Sequence, residues 1–191
     1  MSVHTATSAT IRAGHRTSLL TLLAGALFVV VPLVVELVTG DAFVLMGLAL
    51  VLLLCALPGL HRLQAGGDGR LGRWGLRLTI GGIVGLVAAI LGSEIVVVGE
   101  TAWLFLAGIS TLSALVGVIA FSIGMTRARV LAPLGIWTFL GGMTFGLGSE
   151  SFEQSLDGTV PWLADVLPPL GFVVAGAGLV LLGRSARLVE G

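Results

Sequence analysis

Six apolar runs divide this chain, and the short segments between them are rich in either arginine or acids. A helix rises 1.5 Å per residue, so about 20 apolar residues cross the ~30 Å hydrocarbon layer of a bilayer. The runs cover residues 18–38, 42–60, 76–98, 102–125, 130–149 and 161–183. Lipid offers no partner for a bare amide, so each run is expected to be helical. Composition points the same way. Of 191 residues, 56% are hydrophobic and only 10% charged, with a mean hydropathy of +1.09. A water-soluble domain carries about a quarter of its residues as charges. The expected fold class is therefore an all-α polytopic membrane protein. Six transmembrane helices form three helical hairpins in one domain over 1–191, with short tails at 1–17 and 184–191.

The first run resembles a secretory signal, with Arg12 and Arg16 before it and the string Ala24-Gly25-Ala26 inside it. Its apolar stretch continues through Val38, well past the usual 7–15 residues of a signal core. It is read as a retained first helix.

The charges test the span count. All ten basic residues are arginines. Threading six spans places Arg12, Arg16, Arg62, Arg70, Arg73, Arg77, Arg127, Arg129, Arg184 and Arg187 on the side of the chain ends. Glu36, Asp41, Glu94, Glu100, Glu150, Glu153, Asp157 and Asp165 fall on the other side, and only Asp68 and Glu190 join the arginines. The positive-inside rule makes the arginine side cytoplasmic, so both ends are expected inside, in a bacterial plasma membrane. Trp74, Trp103 and Trp162 fall near span ends, where half-polar rings suit the headgroup layer. Trp137 lies deeper and is read as a packing residue. Cys55 sits in an apolar run and is read as a small buried or lipid-facing side chain.

Lipid tails are as apolar as leucine, so membrane helices associate through close packing, which small residues permit. Gly81, Gly85, Ala88, Ala89 and Gly92 mark such a seam in the third run. Thr138, Gly142, Gly146 and Ser149 mark one in the fifth, and Gly171, Ala175 and Gly178 one in the sixth. Pro168 and Pro169 remove two amide donors and are expected to kink the sixth helix.

Intramembrane acids are costly, so their depth decides what they do. Glu36, Glu150, Glu153, Asp157 and Asp165 lie at the outer ends of spans. Either they are solvated, or they form an outward-facing acidic vestibule for cations or protons. The word LGSE occurs at 91–94 and at 147–150, a recurrence that so biased a composition produces by chance. Helical phase separates the copies: Glu150 leans toward the Gly142/Gly146 stripe, whereas Glu94 lies nearly opposite Gly85. Arg70, Arg73 and Arg77 share one helix face. They serve to fix the topology or to contact anionic lipid.

The motifs HExxH, GxSxG, CxxC and the P-loop are absent, and no nucleophile–base pair shares a depth. No catalytic residue, metal site or cofactor is assigned. The expected partners are the lipid bilayer and either another membrane protein or a second copy of the chain, with no nucleic acid. The leading expectation is a non-enzymatic accessory or scaffold subunit. The alternative is a small secondary transporter, or a cation- or proton-conducting protein, built on the outer acids.

Overall fold

The computed structural model describes residues 17–32, 43–64, 67, 69–95, 100–157 and 161–190. Among these the protein is entirely helical, with six helices and no strand. They are α1 (Thr17–Pro32), α2 (Phe43–Leu63), α3 (Gly69–Ile95), α4 (Glu100–Ala128), α5 (Pro133–Asp157) and α6 (Pro161–Glu190).

The helices outrun the apolar stretches that define them. α3 begins seven residues before its apolar run, on the polar segment that holds Arg70 and Arg73. α5 starts at Pro133, not at residue 130. Proline suits the first helical position, where its missing donor has no intrahelical partner to lose. α4 closes on Arg129, whose φ of 56° places an arginine where conformation alone would favour glycine. Pro168 and Pro169 lie inside α6, which runs on through them as one helix from Pro161 to Glu190.

Among the described residues, three stretches are long and apolar enough to cross a membrane: Gly69–Ala89, Ala102–Ala128 and Pro168–Leu188. These candidate spans support a membrane protein. The outer surface agrees, since Leu104, Phe105, Ile109, Leu112 and Val116 of α4 are all exposed. In water such a continuous apolar face would be an aggregation site, whereas lipid covers it at no cost.

Two antiparallel hairpins and two further helices, α1 and α2, make the bundle. α3 packs along α4, and α5 packs along α6. α1 lies against α6 and touches α2 where Thr17 meets Gly59. One core joins all six helices, including Phe28, Leu53, Leu57, Ile83, Phe121, Phe139, Met143 and Leu179. Phe28 of α1 and Phe172 of α6 stack at a tilt, with ring centroids 5.8 Å apart.

Candidate functional site

The helix contacts are built on glycine. Along α3/α4, Gly75 meets Phe121, Gly82 meets Ala114 and Gly117 meets Thr79, and a methyl group at any of these glycines would fall on the opposing backbone. Along α5/α6, Gly178 meets Phe139, Gly142 meets Ala175 and Gly171 meets Gly146, with equally little room. A Cβ at Gly25 of α1 would stand 2.7 Å from the Gly176 carbonyl oxygen of α6. Such approaches maximise dispersion contact, which drives association where the hydrophobic effect is absent.

The contact positions step by three or four residues, in strict alternation in α4, α5 and α6. They run 75, 79, 82, 85 in α3 and 110, 114, 117, 121 in α4. In α5 and α6 they run 135, 139, 142, 146 and 171, 175, 178, 182. This seven-residue recurrence is that of a left-handed coiled coil. It places Gly85 against Ser110 and Gly92 against the ring of Trp103. Gly81 does not belong to the seam: nothing lies within 4 Å of its added Cβ, and the glycine that packs is its neighbour Gly82. Strict four-residue stepping through 81, 85 and 89 drifts off a contact face whose repeat is 3.5.

Trp103 stands near a span end, as expected, whereas Trp137 departs from its expected role. Trp137 is 52% exposed on α5 and is not a packing residue. Trp103 packs its ring over Gly92, which leaves the space for it. Trp74 is exposed at the start of α3, and Cys55 is free and exposed.

Two buried threonines bond within their own helices, whereas the buried Ser122 hydroxyl has no hydrogen-bond partner among the described residues. Thr21 donates to the Thr17 carbonyl oxygen at 2.8 Å, and Thr79 donates to that of Gly75 at 2.8 Å. Ser113 crosses from α4 to donate to the Leu78 carbonyl oxygen of α3 at 3.3 Å. Sequence reading missed Gln64, a buried amide at the α2–α3 connection with neither polar atom bonded.

Contacts between helix termini put the α2 end, α3 start, α4 end, α5 start and α6 end at one pole of the bundle. Gly67 abuts Ala128, Gly183 abuts Leu22 and Gly135 abuts Leu182. Every described arginine lies on the segments at this pole: Arg62, Arg70, Arg73, Arg77, Arg127, Arg129, Arg184 and Arg187. Arg62, Arg127 and Arg187 occupy last turns, where the helix dipole favours a cation. Arg70 and Arg73 do not, because they open α3, whose first turn holds no acid.

Around them lies a shallow cleft of about 200 Å³, lined by Arg70, Arg73, Trp74 and Arg77. The Arg77 guanidinium carbon stands 5.6 Å from the centroid of the Trp74 ring. That is cation–π range, and such a contact contributes about 0.5–1 kcal/mol at an exposed site. Among the described residues, none of the three arginines is in an ion pair.

The opposite pole takes the acids. The backbones of Glu150, Glu153 and Asp157 lie at the end of α5, and that of Asp165 lies near the start of α6. Their side chains fall outside the described part of the structure, as does the whole of Glu36. No family model, curated protein or solved structure matches this chain.

Proposed function

We propose that the chain is a six-span, non-enzymatic integral protein of a bacterial plasma membrane, with both ends cytoplasmic, serving as an accessory or scaffold subunit. The observation that carries this reading is how the interior is used. The described seams are occupied within the chain, and the buried polar side chains described are hydroxyls and one amide. Such an interior is built for rigidity. The parts left to meet a partner are outer faces, above all that of α4 around Phe105, Ile109, Leu112 and Val116. The gathering of arginines at one pole supports the orientation. An impermeant maleimide should label Asp157→Cys in intact cells and Arg187→Cys only after lysis, in a Cys55→Ala background. The reverse pattern would refute the threading.

A second reading rests on the acids that share the other pole: a cation- or proton-conducting protein with Glu36 and Glu150 at its mouth. Reconstitution into liposomes with a pH- or cation-sensitive dye separates the two. The scaffold reading expects no flux from the wild type, Glu36→Gln or Glu150→Gln, together with a stable partner or self-assembly in mild detergent. Wild-type flux that either substitution abolishes would overturn it.

A further inference from the structure

We infer that the cleft formed by Arg70, Arg73, Trp74 and Arg77 at the start of α3 is a binding site for the headgroup of an anionic glycerophospholipid, and that its acyl chain runs along the Gly81–Val84–Ala88 face of the same helix. The inference rests on the membrane-spanning reading of α3.

Four observations converge on it. The arginines stand at i, i+3 and i+7, so their charges fall on one face and line a cleft of about 200 Å³. The site works against its own helix. Arg70 and Arg73 add positive charge where the dipole is already positive; α3 has no acid in its first turn, and Asp68 just before it in the chain is one carboxylate against two guanidinium groups. Helix stability therefore does not explain them. Threading alone needs them little, because Arg62, Arg127 and Arg129 already mark the same pole. A bound anion resolves the cost, since the helix N-terminus and three guanidinium groups all favour it.

Depth then selects a lipid over a free anion. From Arg70 to Arg77 the helix rises about 10 Å, which covers a headgroup layer of roughly 5–7 Å and reaches the hydrocarbon edge. Trp74 lies among the arginines, 60% exposed, with Arg77 held over its ring. A half-polar ring of this kind belongs at that boundary. Beyond Arg77 the same face continues through Gly81, Val84 and Ala88, with nothing within 4 Å of a Cβ at Gly81 and Val84 exposed. A charged cleft continued by an exposed apolar face matches an amphiphile with a phosphate at one end. Free phosphate would leave that face unused.

The test uses the full chain. Flotation with phosphatidylcholine vesicles first asks whether it enters a bilayer at all. Native mass spectrometry from nanodiscs of mixed phosphatidylglycerol and phosphatidylcholine then reads headgroup preference. The wild type should retain phosphatidylglycerol preferentially, and a large excess of inorganic phosphate should not displace it. Arg73→Gln should lower the preference by about fivefold, and the triple change of Arg70, Arg73 and Arg77 to Gln should abolish it. Arg184→Gln with Arg187→Gln, at the same pole, should leave it intact. Because the triple change removes charges that also guide threading, the single variant is decisive if the triple is poorly produced. Equal retention by wild type and Arg73→Gln would overturn the site, as would equal loss in the Arg184/Arg187 pair. Displacement by phosphate would assign the cleft to free anions instead. A chain that floats without headgroup preference refutes the lipid site alone, and one that does not float refutes the membrane reading as well.

Discussion

In the α5/α6 hairpin glycine meets glycine: Gly171 faces Gly146, and Gly142 lies against Ala175 beside the Gly171 carbonyl oxygen. In the α3/α4 hairpin no glycine contact pairs two glycines: Gly82 meets Ala114, Gly117 meets Thr79 and Gly85 meets Ser110, while Gly75 and Gly92 meet Phe121 and Trp103. Their surroundings differ as well. α6 has α5 on one face and α1 on another, and half of its most apolar stretch is buried, against 28% in α3 and in α4. One hairpin is the centre of the bundle and the other is its edge. Where a helix is gripped on two sides, close approach on both faces holds it, and the Phe28–Phe172 ring contact adds to it. At the edge, where lipid competes for the outer face, the Ser113–Leu78 hydrogen bond joins the helices across the seam. Such bonds contribute about 0.6 kcal/mol in membranes.

Leucine scanning of the two seams breaks or sharpens this contrast. The largest loss is expected at Gly142→Leu. The new side chain lands on the backbone of Ala175, and α6 cannot retreat without leaving α1. Destabilisation should exceed about 3 kcal/mol and abolish monodisperse protein in size-exclusion chromatography. Gly82→Leu meets an equally close backbone at Ala114, but α4 has an exposed outer face and can shift into lipid. A cost of about 1–3 kcal/mol is expected, visible as a lower melting temperature with the yield largely kept. If Gly82→Leu proves as damaging as Gly142→Leu, the distinction between centre and edge fails. Smallest of all should be Gly81→Leu, one residue away and facing open space, with a change within about 0.5 kcal/mol in the same melt. A clear loss there would mean that the Gly81 face is covered by protein.

Hydropathy and charge carried the sequence reading far along the fold. All six apolar runs overlap a helix, because period-independent apolar length is what a bilayer demands and what sequence displays most directly. The polar ends were not visible in this way. The first turns of α3 and the last of α5 and α6 are helical without being apolar, and hydropathy registers only the part that is. The seams were half legible. Small residues at 142 and 146, and at 171 and 175, fall on both a four-residue step and a 3.5-residue repeat, so either rule finds them, and Gly178 stands on the repeat alone. In α3 the rules diverge, and only the heptad through Gly75, Gly82 and Ala89 separates Gly82 from Gly81. Trp137 was misjudged because depth along a helix says nothing of which face a side chain occupies. The basic cleft was visible as spacing, but the Arg77–Trp74 contact depends on side-chain geometry that spacing does not determine.

The contact between Gly25 and Gly176 also has a consequence in time. About 150 residues separate these partners, and at ~5–20 residues per second a ribosome needs roughly 10–30 seconds to deliver the second after the first. Through that interval the Gly25 face of α1 is without the helix it packs on, and only the synthesis of α6 can supply it. Shortening the chain before α6 would therefore strand α1 as well as losing α6. Closure of these two helices waits on every element between them.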